Sequence, residues 1–100
     1  DLARANVLAL KSDVSDEVFH IASGVETSLN ELAATTMKVM GAPAGMVPEY
    51  GPERKVNAVS RRLSSTEKAE RLLGFKAEIN LEEGVRRFVT WWEANKDRFN

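Results

Sequence analysis

Four cations stand close together in the middle of this sequence: Arg54, Lys55, Arg61 and Arg62. The hydroxyl cluster Ser64-Ser65-Thr66 follows them, and then a short helical pattern that stops at Gly74. A guanidinium presents a planar fork of donors that matches phosphate oxygens, so this stretch could hold an anion. The amides that open a helix are unpaired and carry partial positive charge, which adds to that chemistry. On spacing alone, however, Arg54 reads as a solvated loop cation. Arg61 and Arg62 are adjacent, so they point to different sides, and at most one of them can face a shared ligand. Asn57, between the two pairs, serves equally as a polar contact or as an ordinary turn residue.

Composition narrows the chemistry further. The chain has 100 residues, 43% hydrophobic and 29% charged, with a net charge of -1. That suits one domain with a modest core and argues against a general nucleic-acid binder. The absence of cysteine excludes disulfides, thiolate catalysis and cysteine-based zinc sites. His20, the single histidine, lies in an apolar run without a nearby Asp, Ser or Cys in sequence, and reads as a strand histidine rather than a base. No apolar run approaches membrane-spanning length. The expectation is a cytoplasmic protein acting on neither membranes nor nucleic acid.

Several elements must position the cationic stretch. Asp1 is placed to cap a helix LARANVLALK by accepting from its first amides. Val18-Phe19-His20-Ile21-Ala22 is apolar at nearly every position, as a strand buried on both faces would be, and Ser23-Gly24 closes it. Ser28-Leu29-Asn30-Glu31 is a capping box that opens a helix stopped by Gly41. Met37 and Met40 fall on its core side. Val47 to Tyr50 reads as a short extended segment, and Glu53 to Arg62 as a long cationic loop. Ser65 or Ser64 is expected to cap a helix from Thr66 to Leu73. Asn80-Leu81-Glu82-Glu83 opens the last helix, which places Leu81, Val85, Phe88 and Trp92 in the core at helical spacing. Arg86 and Arg87 read as a solvated face with local acidic partners. The fold class expected is mostly helical α+β, with three longer helices, one short helix and two or three short strands.

Four blocks of the chain resemble the C-terminal part of nucleotide-sugar epimerases and dehydratases of the extended short-chain dehydrogenase/reductase family. DLARANVLAL is similar to the helix after that family's Tyr-Val-x-Asp segment, and VFHIASGVETSLNELA to its strand, glycine turn and Ser-capped helix. RRLSSTEKAERLLGFKAEINLEEGVRRFVTWW resembles its D-x-x-K-A, L-G-W/F, L-E-E-G and W ending. Arg54-Lys55-Val56-Asn57 resembles its Arg-x-x-Asp phosphate and ribose element, with Asn57 where Asp is common. Ser65 likewise stands where the family has Asp, and both types cap helices.

The resemblance implies that residues 1–100 form a single substrate-binding lobe of an extended Rossmann-type enzyme. Arg54, Asn57 and Arg62 would hold the nucleoside diphosphate of a nucleotide-sugar. Asn57 would meet the ribose as a weaker acceptor than a carboxylate. The family's glycine-rich dinucleotide turn and its Tyr-x-x-x-Lys pair do not occur here; Tyr50 is followed by Glu53 and Arg54. The chain is therefore expected to be a fragment that binds no NAD and catalyses nothing alone. NAD, the hydride chemistry and a Rossmann lobe would belong to the parent, an epimerase, dehydratase or related reductase. A lobe cut from its partner leaves apolar surface open, so association into a homo-oligomer is also expected. The alternative from the residues themselves is a stand-alone helical interaction module, with Arg54 to Arg62 as a basic docking loop for an acidic partner.

Overall fold

The computed structural model describes residues 1–53, 55 and 61–99. Four α-helices follow in order: α1 (Leu2–Lys11), α2 (Leu29–Val39), α3 (Glu67–Leu73) and α4 (Leu81–Asn95), the last running into a 3-10 turn at Lys96–Arg98. The expected three longer helices and one short one are present. The expected strands are not: the described residues contain no β-strand. Two compact units divide the chain, Asp1–Glu26 with Arg62–Asn80 and Thr27–Arg61 with Leu81–Asn100.

The first unit is built on α1 and α3. Ala5, Ala69, Leu73 and Phe75 form its buried core, with Leu8, Phe19, Ile21 and Ala77 packed at the edge. Alanine at the crossing of the two helices lets the backbones approach, and Phe75 then fills the space beside them. Gly74 makes this possible. Its φ of 65° is left-handed, which ends α3 and turns the chain so that the Phe75 amide bonds back to the Ala69 carbonyl at 3.2 Å.

Asp1 does not cap α1 through its side chain as expected. Its carboxylate accepts instead from the amides of Glu78 (3.2 Å) and Ile79 (2.9 Å), and from the Arg4 guanidinium (2.9 Å). Arg4 also donates to the Lys76 carbonyl at 2.6 Å and lies 5.0 Å from the centre of the Phe75 ring. Among the described residues the amides of 78 and 79 have no strand partner, and a carboxylate meets that need better than it meets a helix start that water can solvate.

The run Val18 to Ala22 corrects the expectation of a doubly buried strand. Phe19 and Ile21 pack against the core, while Val18 is 77% exposed and His20 is exposed as well. A strand exists through the bonds it makes to a neighbouring strand, and among the described residues none lies beside this run. Side chains alternate, one face is covered, and the segment stays an unpaired strap. Val47 to Tyr50 is likewise no strand; Val47 and Tyr50 are exposed, and the Tyr50 hydroxyl donates to Asn30 Oδ1 at 3.0 Å.

The second unit packs α2 against α4. The capping box is formed in full: Ser28 Oγ accepts from the Glu31 amide at 3.1 Å, and Glu31 Oε2 accepts from the Ser28 amide at 2.6 Å. Lys38, in the last turn of α2, pairs with Glu82 in the first turn of α4 at 2.9 Å. The aromatic stripe of α4 is not core. Val89 is its buried residue, whereas Phe88 is 62% and Trp92 39% exposed, and Leu81 is exposed too. α2 has 11 residues against the 15 of α4, so it covers only part of a wide apolar stripe. Phe88, Trp91, Trp92 and Phe99 collect on one another instead, at ring separations of 5.8–6.1 Å. Met40, expected inside, is also exposed. Arg86 and Arg87 both reach Glu83, as local pairing on a solvated face predicts.

The cap yields a test. Ser28→Ala should cost about 1 kcal/mol at neutral pH, read from urea denaturation followed by circular dichroism. Glu31 supplies the acid half of the same device. The Ser28 amide, and then its side chain, hold the Glu31 carboxylate below its ordinary value of 4.5. A lowered folded-state pKa stabilises the ionised form, so this contribution is present above 4.5 and is lost as pH falls through the lowered value. Glu31→Gln cannot titrate and should lack that acid loss.

Candidate functional site

Of the three residues expected to grip an anion, Arg54 and Asn57 lie outside the described residues. Arg62 is exposed, in a stretch from 61 to 66 that has neither helix nor strand, and it makes no ion pair among the described residues. Lys55 is exposed in the other unit.

The start of α3 anchors this stretch. The residue at the cap is Thr66 rather than Ser64 or Ser65, and no side chain bonds to the first amides. Thr66 abuts the turn at Gly24 instead: a Cβ on Gly24 would stand 3.7 Å from the Thr66 hydroxyl. Gly24 has a φ of +75°, and the turn is held by the Val25 amide donating to Ser23 Oγ at 3.2 Å. The glycine turn thus sits against the point where the chain leaves Arg62 and enters the helix.

In the first turn of α3, Lys68 is occupied. Its ammonium bonds Glu17 at 2.5 Å and lies 5.3 Å from the centre of the Phe19 ring. That hydrogen bond, with the Lys68 charge, holds the Glu17 carboxylate below the usual range. Lys68 therefore fastens the 12–24 segment to α3 and is not a spare cation for a ligand, whereas Arg62 presents an open guanidinium. Sequence reasoning missed the Glu17–Lys68 contact, because the partners are 51 residues apart and neither lies in a local motif. Among the described residues no cluster of His, Cys, Asp and Glu could hold a metal ion, and no helix is long and apolar enough to cross a membrane.

A comparison with protein-family models finds no match. Individual relatives are clear. The dTDP-glucose 4,6-dehydratase of Actinoplanes sp. is 31% identical over 97 residues, which cover 96% of this chain. UDP-glucose 4-epimerase 2 of Arabidopsis thaliana is 32% identical over 104 residues, covering 100% of this chain. The chain spans 29% of the length of each. Among solved structures, the Bordetella bronchiseptica enzyme WbmF in complex with NAD+ and UDP superposes with a TM-score of 0.75 and 30% identity, over 96% of this chain and 28% of that one.

Proposed function

This chain belongs to the nucleotide-sugar epimerase and dehydratase family, matching the C-terminal part of its members, and from that we propose that it is the lobe that holds the nucleotide-sugar of an NAD-dependent epimerase or dehydratase. The observation that carries this reading is the likeness to WbmF, which runs through 96% of the chain at a TM-score of 0.75. That enzyme is described in complex with UDP. The same continuous likeness disfavours a stand-alone docking module.

In this reading Arg54 bonds a diphosphate oxygen through its guanidinium, Asn57 meets the ribose with its amide, and Arg62 adds a second, exposed cation. The lobe's contribution is positioning: with the diphosphate held, the sugar is carried to the reacting centre. NAD, held by the remainder of the protein, would take and return a hydride at a sugar carbon. Exposed Leu2, Leu10, Val25 and Leu29 support a further proposal, that residues 1–100 by themselves associate into a homo-oligomer.

Calorimetric titration tests the reading. The full-length protein should bind UDP saturably, and the absence of any saturable heat would overturn the assignment. Residues 1–100 titrated with millimolar NAD should give no saturable heat, because no glycine-rich turn is there to cradle the pyrophosphate. Micromolar NAD binding by these residues would contradict the substrate-lobe reading.

A further inference from the structure

Two of the three hydroxyls before α3 have no structural task among the described residues, whereas Thr66 holds the cap position. Ser64 and Ser65 were the expected caps, yet the cap position falls on Thr66, and neither serine hydroxyl makes a hydrogen bond among the described residues. Ser64 is exposed, Leu63 before it is 62% exposed, and the whole stretch from 61 to 66 lacks helix and strand. Arg61 and Arg62, both exposed, stand three and two residues ahead of Ser64. Protein kinases that select basic substrates read an extended segment in this way, pairing arginines ahead of the acceptor with carboxylates of the kinase.

We propose that Ser64 is a phosphoryl-acceptor site for a basophilic serine/threonine kinase, and that its phosphate competes with the nucleoside diphosphate for Arg62. The second half rests on the nucleotide-binding reading above. In the transfer, Ser64 Oγ forms a bond to the γ-phosphorus of Mg-ATP and the bond from that phosphorus to the β-phosphate oxygen breaks. ADP leaves, and the hydroxyl proton passes to a carboxylate of the kinase. The product carries close to two negative charges two residues from Arg62, where it can take the guanidinium fork for itself. The same dianion repels an incoming diphosphate.

The test treats the full-length protein with Mg-ATP and the catalytic subunit of a kinase that prefers arginine before serine. Fragmentation mass spectrometry should locate one phosphoryl group on Ser64, absent in Ser64→Ala and reduced in Arg61→Ala. UDP titration should then show Kd raised about tenfold in the phosphorylated protein. Ser64→Ala taken through the same treatment should bind UDP as the untreated protein does. No phosphoryl group on Ser64, or one whose incorporation ignores Arg61, overturns the acceptor assignment. Phosphorylation that leaves Kd unchanged overturns the competition. Failure of the nucleotide reading shows separately, as untreated protein that does not bind UDP at all.

Discussion

Arg54→Ala is expected to weaken UDP binding by the full-length protein about 10- to 100-fold. A hydrogen bond to a charged group contributes roughly 1.5–3 kcal/mol, and about 1.4 kcal/mol corresponds to a factor of ten in affinity. The loss should appear in Kd while the melting temperature stays nearly unchanged, since the contact is made to the ligand and not to the core. Arg54→Lys should recover only part of the affinity, because an ammonium cannot reproduce the planar fork. The matched control is Arg86→Ala, which removes a guanidinium already paired with Glu83 on the exposed face of α4. Removing the sugar from the ligand should leave the difference intact, as the contact is to phosphate. Equal UDP affinities for Arg54→Ala and Arg86→Ala would reduce Arg54 to a loop cation.

The largest effect on stability is expected at Phe75. Its side chain is 1% exposed, closes the core of the first unit, and is covered on one side by Arg4. Truncating a buried phenylalanine typically costs about 3–5 kcal/mol, from lost transfer energy and the cavity left behind. Domains of this size are stable by only about 5–15 kcal/mol, so Phe75→Ala should remove much of the margin. Phe88→Ala is the informative comparison. Helical spacing places Phe88 in the core of α4, yet it is 62% exposed, and its replacement should shift stability by about 0.5 kcal/mol or less. Urea midpoints of the two variants decide the matter. Comparable losses would mean that α4, and not the turn after α3, presents the buried aromatic residue.

The helices of this protein are written locally. Ser28 and Glu31 satisfy each other's amides within four residues, Gly41 and Gly74 take left-handed φ values where the second and third helices end, and the first helix spans the segment its apolar spacing marks out. Each of those signals acts over one or two turns, so the chain's own order determined them. The three residues proposed for the anion site rest on the sequence, through the motif Arg54-Lys55-Val56-Asn57 and the cation pair that follows it; Arg54 and Asn57 lie outside the described residues. What tertiary structure decided is where each side chain spends its bonding capacity. Asp1 has the type and place of a helix cap, but its carboxylate meets amides 77 and 78 residues away. Lys68 could have joined the anion site, but Glu17 arrives from 51 residues upstream and pairs with it. The run Val18 to Ala22 has a strand's composition and Trp92 a core residue's, yet among the described residues the first has no neighbouring strand, and the second is only partly covered. A cap or a terminator carries its partner within the same turn, whereas burial and strand pairing depend on a surface brought from elsewhere in the chain.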